Sequence, residues 1–127
     1  MARVNSYREL LVWQRAMGIA VDVYELTRDY PREELFGLTS QTRRAATSVP
    51  ANIAEGFGRS SRASYAHFAR IAQGSLKELE THLMLAERIG LAKAGASETI
   101  LRECDEVGRM LRALISRLDA KTLAPKP

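Results

Sequence analysis

The fold is decided by residues 37–61, which read GLTSQTRRAATSVPANIAEGFGRSS. Apolar and small residues recur here at spacings of three and four, the period of a helix with one buried face. They are Leu38, Thr42, Ala45, Ala46, Val49, Ile53 and Gly56. Pro50 lies inside the pattern, where it cannot donate a backbone hydrogen bond and its ring crowds the preceding turn. Because the pattern continues beyond Pro50, we predict one helix, kinked at the proline and beginning near Leu38 with Thr39 or Ser40 as its cap.

Two further helical patterns lie on the C-terminal side of this stretch. One begins at Ser60 or Ser61 and continues to about Lys93, and the other follows the break at residues 95–97. Both keep apolar or small residues at helical spacing. The third-helix positions are Tyr65, Phe68, Ala72, Ser75, Leu79, Leu83, Ala86 and Ile89, and the fourth-helix positions are Ile100, Leu101, Cys104, Val107, Leu111, Leu114 and Leu118.

On the N-terminal side, a helical pattern covers residues 10–28 and ends at Tyr30-Pro31. Its apolar residues form two lines, so the helix has a wider apolar surface than one bundle core requires. We predict that the first line faces the core. That line is Leu10, Trp13, Met17, Ala20, Tyr24 and Thr27, and the second is Ile19, Val23 and Leu26.

Four amphipathic helices joined by short breaks predict an all-α protein, an antiparallel up-down-up-down four-helix bundle. The 127 residues are the size of one domain. We assign residues 1–9 to a lead-in, residues 10–121 to the bundle and residues 122–127 to a flexible tail. The sequence shows no leader-like segment and no apolar run long enough to cross a bilayer, so we expect a cytoplasmic protein without membrane contact.

Catalytic and metal-binding patterns are missing from the sequence. Di-iron bundles need Glu-x-x-His on two helices, but His67 and His82 both lie on the third helix, and Leu79 stands three residues before His82. The single cysteine, Cys104, falls on the apolar stripe of the fourth helix and allows no internal disulfide or thiolate cage. We therefore expect a non-enzymatic protein with no catalytic residues, no metal and no cofactor.

Positive charge is concentrated in one segment. The chain carries a net charge of +4, and 15 of its 19 cations are arginine. Residues 37–62 account for +3 of this charge, with Arg43, Arg44, Arg59 and Arg62 against Glu55. Arginine offers a planar fork to phosphate and also serves in interface ion pairs. The charge therefore suggests nucleic acid, and a solvated or ion-paired face explains it equally well.

A polar line runs along the second helix beside its small residues. Its members are Gln41, Arg44, Ser48, Asn52, Glu55 and Arg59, and the third helix carries Gln73, Ser75, Lys77, Glu78 and Glu80 in one stretch. One interpretation is a solvated face with a Glu55–Arg59 pair. The other is a polar network between helices or between subunits. Because the first helix carries a second apolar line, we favour an oligomer interface over a solvated face. The candidate interface residues are Arg43, Arg44, Ser48, Asn52, Glu55 and Glu78, with Asn52 or Ser48 satisfying the carbonyl that Pro50 frees near Ala46.

The same residues carry a family resemblance. Residues 37–61, followed by FARIAQGSLKELETHLMLAERIG (68–90) and preceded by LLVWQRAM (10–17) and VYELTRDYPREE (23–34), closely resemble the bacterial 23S rRNA intervening-sequence protein family. The resemblance implies a four-helix bundle that assembles into a homopentameric ring. It also implies similarity to the accessory variability determinant of diversity-generating retroelements, a basic pentameric barrel that binds nucleic acid and a partner reverse transcriptase.

These observations predict a homo-oligomeric nucleic-acid-binding or scaffold protein. The alternative is an oligomeric protein-interaction module with no nucleic-acid role. For RNA or DNA we expect contacts from exposed arginines to the phosphate backbone, since the few aromatic residues mostly lie on core stripes. The predicted contacts are Arg59 and Arg62 after the second helix, and Arg109, Arg112 and Arg117 on the fourth.

Overall fold

The computed structural model describes residues 4–122, and of residues 121 and 122 only the backbone. Four α-helices form: α1 (Leu11–Thr27), α2 (Leu38–Phe57), α3 (Arg62–Arg88) and α4 (Glu98–Thr122). Single 3-10 turns, Tyr7–Glu9 and Arg32–Glu34, precede α1 and α2. Residues 4–122 contain no strand, which confirms the all-α prediction. Of the predicted tail, Thr122 ends α4, and residues 123–127 lie outside the described part of the chain.

Each helix packs antiparallel to its neighbours in sequence, and α1 also packs against α4. The four helices therefore enclose one core, in agreement with a four-helix bundle. Its largest fully buried side chains are Val23, Val49, Ile53, Leu76, Leu79, Leu83, Val107 and Leu111. The α2–α3 turn lies at one end of the bundle with the start of α1 and the end of α4; we call this the α2–α3 end. The α1–α2 and α3–α4 turns lie at the other, the α1–α2 end.

The predicted orientation of α1 is correct only in part. Ala20 and Thr27 of the predicted core line are buried, but Met17 and Tyr24 are 39% and 42% exposed. Ile19 and Val23 of the second line are buried. Both lines are apolar, so hydrophobic periodicity alone does not choose between them. The small side chains of Ala16 and Ala20 let α1 approach its neighbours closely, while Met17 and Tyr24 stay outside the core.

The start of α2 agrees with the prediction, but its cap does not. The capping position is Gly37, with no side-chain cap, and Thr39 is buried within the first turn. The Leu38 amide donates to Glu34 Oε1 at 3.2 Å, so a carboxylate from the preceding 3-10 turn satisfies one of the free amides. The helix continues through Pro50 to Phe57, as predicted.

The third helix begins as predicted and ends five residues early. Ser61 caps it, its hydroxyl accepting the Ser64 amide at 3.0 Å. Its C-terminus closes when Gly90 adopts φ +81° and the Leu91 amide donates to the Ala86 carbonyl at 2.9 Å. This is the Schellman arrangement, which favours glycine because it needs a left-handed backbone. The chain therefore leaves the helix at Gly90, and the apolar pattern up to Lys93 belongs to the following turn.

Candidate assembly surface and nucleic-acid interface

A polar network joins α2 to α3 within one chain. The hydroxyl oxygens of Ser48 and Ser75 lie 2.8 Å apart. Asn52 Nδ2 donates to the Ser48 carbonyl at 2.8 Å and to Ser48 Oγ at 2.9 Å. Asn52 thus bonds one turn back to Ser48 and not to Ala46, where the carbonyl freed by Pro50 was expected. Ser48, Asn52 and Ser75 therefore form a polar network between two helices of one chain, and not a solvated face.

The other predicted interface residues do not join this network. Arg43 Nε donates to Thr27 Oγ1 at 2.8 Å, and its guanidinium lies 4.6 Å from the centroid of the Tyr24 ring. Arg44 and Glu78 are exposed and form no ion pair with a described residue. Neither Arg43 nor Arg44 pairs with a carboxylate of the described residues. Among the described residues, Glu55 forms an ion pair with Arg59.

An apolar groove lies between α1 and α2 on the outside of the bundle. Its volume is about 510 Å³, and Trp13, Met17 and Tyr24 of α1 form part of one wall. The other wall is α2 near its proline. Its apolar lining comes from Trp13, Met17, Val21, Tyr24, Pro50, Ala51 and Ala54. Tyr24 also borders a second concavity with Leu35 and Phe36, so the apolar surface is continuous from the groove to the α1–α2 turn. We call it the α1–α2 surface.

Phe36 is the most exposed large apolar side chain of the described residues, at 93%. It follows the 3-10 turn that leads into α2. The sequence pattern gave Phe36 no role. The available signal was a Leu-Phe pair between charged residues and a glycine.

The predicted nucleic-acid contacts fall into two groups: arginines paired with a carboxylate, and arginines without an ion pair to a described residue. Arg59 pairs with Glu55 Oε2 at 2.8 Å, the pair named in the solvated-face interpretation, and its guanidinium lies 4.7 Å from the Phe68 ring centroid. Arg109 donates to Glu106 Oε2 at 2.6 Å. This hydrogen bond lowers the pKa of Glu106 and raises that of Arg109. Both arginines are exposed, so the carboxylates offset their charge without burying them.

The remaining three, Arg62, Arg112 and Arg117, are exposed and form no ion pair with a described residue. Arg117 lies close enough to Tyr65 to oppose the rise that burial causes in the phenol pKa. Arg62 begins α3 and Arg117 lies near the end of α4, so both are at the α2–α3 end together with Arg59. Arg112 lies before Arg117 in α4, near the middle of the helix.

Aromatic residues also gather at the α2–α3 end, which the sequence did not indicate. Phe57 and Tyr65 meet edge to face with ring centroids 6.1 Å apart, and His67 contacts the Phe68 ring in the same way at 5.2 Å. Phe57, Tyr65 and Phe68 are half-buried. Arg88, another exposed cation without an ion pair to a described residue, was also not singled out and lies at the opposite end of α3.

Cys104 is buried in the core, and desolvation raises the pKa of its thiol to about 12, so it stays protonated at neutral pH. No group of three or more His, Cys, Asp or Glu side chains within residues 4–122 could hold a metal ion. None of the described helices is both long and apolar enough to cross a membrane.

The fold and these surfaces define an all-α helical protein with an apolar outer face and exposed arginines. The family model of the 23S rRNA-intervening sequence protein matches residues 8–113. The chain therefore belongs to this family, which confirms the resemblance and extends it into α4. Among curated proteins, no relative matches the chain.

One similar solved structure is a protein of unknown function from the S23 ribosomal protein family of Bacteroides thetaiotaomicron. The two superpose with a TM-score of 0.74 at 26% sequence identity. The alignment covers 83% of this chain and 98% of the other. The likeness supports the bundle fold.

Proposed function

We propose that this protein is a non-enzymatic, homo-oligomeric scaffold that binds nucleic acid. The supporting observation is the separation of its two kinds of surface. The α1–α2 surface is apolar and carries Phe36 almost fully exposed. Exposed arginines without ion pairs to described residues lie on α3 and α4, among them Arg62, Arg112 and Arg117. A chain that assembles through the first surface keeps the second one open to a ligand.

Assembly should multiply the net positive charge that a phosphate backbone meets. A single chain at +4 attracts a phosphate backbone only weakly at physiological salt. In the homopentamer implied by the family resemblance, five copies would carry about +20 and repeat each arginine around the ring. Affinity then comes from many equivalent phosphate contacts, and binding should depend little on sequence.

The contacting residues differ in availability. Arg62 and Arg117 have no competing carboxylate among the described residues, so they should meet phosphate first. Arg59 and Arg109 are held by Glu55 and Glu106. Exposed pairs of this kind contribute little to stability, so phosphate can displace the carboxylates at small cost.

Fluorescence anisotropy with a labelled single-stranded RNA and a DNA duplex tests the proposal. We expect binding at about 50 mM salt. At 200 mM, four phosphate contacts should give a loss of at least about 100-fold for the DNA duplex and about 50-fold for the single-stranded RNA. The double variant Arg62→Glu/Arg117→Glu should bind at least about tenfold more weakly than wild type with its assembly unchanged.

The matched control is Arg88→Glu/Arg102→Glu, which changes the net charge equally on the same two helices at the opposite end. It should lose less affinity than the first variant. Failure of the wild-type protein to bind either nucleic acid at about 50 mM salt, where such contacts are strongest, would leave the alternative, an oligomeric protein-interaction module.

Association with a reverse transcriptase belongs to the same proposal and is supported by the family resemblance of residues 10–90. Co-purification with a reverse transcriptase encoded beside this protein tests it. Recovery of the enzyme with wild type, and not with an assembly-deficient variant, is the expected result. Equal recovery with both would separate the enzyme's contact from assembly.

A further inference from the structure

Phe36 and the α1–α2 groove have complementary shapes on one chain. Phe36 projects from the turn before α2 with 93% of its surface exposed. The groove offers about 510 Å³ between apolar walls, ample room for an aromatic ring and its neighbours. An aromatic side chain buries 150–250 Å² when it is enclosed, so seating Phe36 in the groove would remove the largest exposed apolar side chain of the described residues from water.

Phe36 does not fill the groove of its own chain. It borders a separate concavity, which shares only Tyr24 and Thr47 with the groove. The groove and the phenyl ring are therefore both open to another molecule.

The charges at the edge of the groove and beside Phe36 are also of opposite sign. Glu25 lines the groove, and Asp22 lies one turn before it on α1. Burial and the nearby carboxylates Glu25 and Glu103 raise the pKa of Asp22, and Asp22 forms no ion pair with a described residue. Arg28 also lines the groove, beside Glu25. Arg44 borders the concavity beside Phe36 and has no carboxylate partner among the described residues. A molecule that presents Phe36 therefore also presents an arginine to the unpaired carboxylate of Asp22.

We propose that the α1–α2 groove of one copy receives Phe36 of a second copy, with Arg44 of the second copy facing Asp22 and Glu25. This inference rests on the homo-oligomer of the proposed function and specifies its contact. Each copy contributes one groove and one phenyl ring, so the contact joins two different parts of the α1–α2 surface. Such heterologous contacts close into rings when the rotation between copies permits, and in a closed ring no groove and no Phe36 stays exposed.

Two variants remove the two halves of this contact. Phe36→Ser keeps the groove and removes the phenyl ring, and Val21→Glu keeps Phe36 and places a charge in the groove at a position that is 54% exposed. Both residues are exposed in the single chain, so the bundle should keep its helical circular dichroism. The control is Ile71→Ser, an exposed apolar residue on α3.

Light scattering coupled to gel filtration should give an oligomer for wild type and for Ile71→Ser, and a monomer for each of the two interface variants. Mixing the two monomeric variants should produce a dimer, because the intact Phe36 of Val21→Glu fits the intact groove of Phe36→Ser.

An oligomeric wild type whose mass is unchanged by Phe36→Ser would overturn this contact and leave the proposed oligomer standing. Two monomeric variants that fail to combine would overturn the pairing of Phe36 with the groove. A monomeric wild type would overturn both the contact and the homo-oligomer, whatever the result of the nucleic-acid measurement.

Discussion

Ser48 and Ser75 face each other across the α2–α3 interface, with their hydroxyl oxygens 2.8 Å apart. Asn52 completes the group from one turn further along α2, bonding both the carbonyl and the hydroxyl of Ser48. Three half-buried polar groups thus satisfy one another where the sequence of α2 is otherwise small and apolar. Such a group fixes the register of two helices, because a shift of one residue would leave its members unpaired.

Asn52→Leu should destabilise the protein, although it replaces a polar side chain by an apolar one. The change removes two hydrogen bonds, and we expect a loss of about 1 kcal/mol in the free energy of unfolding by urea denaturation. Ser116→Ala, at an exposed serine of α4, serves as the control and should change little. Unchanged stability and assembly in Asn52→Leu would show that Asn52 is not needed for this interface.

Two glycine substitutions should act in opposite directions. A Cβ atom at Gly56 would lie 2.9 Å from Phe68 Cβ and 3.2 Å from the Tyr65 carbonyl oxygen. Gly56→Ala should therefore push α2 and α3 apart and cost about 1–3 kcal/mol. Gly74→Ala meets no atom within 4 Å and should stabilise α3 by up to about 1 kcal/mol. Thermal unfolding of both variants compares them, and equal shifts would contradict the close approach at Gly56.

Glu87 should make stability depend on acid pH. Its carboxylate accepts the Gly95 amide at 2.9 Å and the Ser97 amide at 3.0 Å, and these bonds lower its pKa below the usual 4.5. Since the folded-state pKa lies below the unfolded one, the stabilisation is present above pH 4.5 and disappears as pH falls through the folded-state value. The difference in unfolding free energy between wild type and Glu87→Gln should be largest at pH 7 and shrink towards pH 3.

The control for Glu87 is Glu78→Gln, at an exposed carboxylate without a hydrogen bond to a described residue. Its stability should stay parallel to wild type over the same pH range. A pH-independent gap between wild type and Glu87→Gln would mean that the carboxylate charge does not hold the α3–α4 turn.

Nucleic-acid binding should require assembly and not only the arginines. Phe36→Ser keeps every arginine of the chain, yet as a monomer it should bind RNA at least about tenfold more weakly than wild type at equal chain concentration, because fewer phosphate contacts act together. Anisotropy at about 50 mM salt measures both. Equal affinity of the monomeric variant and wild type would contradict the dependence on assembly.

Helical periodicity was sufficient to predict the number and order of the helices. It predicted the continuation of α2 through Pro50 and the Ser61 cap, because both follow from local residue pattern. The Glu55–Arg59 pair was also predictable from its spacing of four residues. The end of α3 was missed because the apolar pattern continues past Gly90, whose left-handed backbone ends the helix.

The candidate surfaces depended on information that the sequence does not carry. Two apolar lines on α1 gave no reason to choose Ile19 over Met17 for the core, since the choice depends on how closely α2 and α4 approach. The groove exists only between two helices. Phe36 could be judged exposed only once the turn before α2 was placed. The wide apolar surface of α1 was nevertheless visible in the sequence, although Met17 and Tyr24 were wrongly placed in the core.

The solution mass of the wild-type chain tests the central claim, assembly through the α1–α2 surface, most directly. One chain has a mass of 14.1 kDa, so a homopentamer would have a mass of about 70 kDa (five times 14.1 kDa). Light scattering at micromolar concentration should give this mass, or another whole multiple of the chain. A stable monomer of 14.1 kDa would contradict the account.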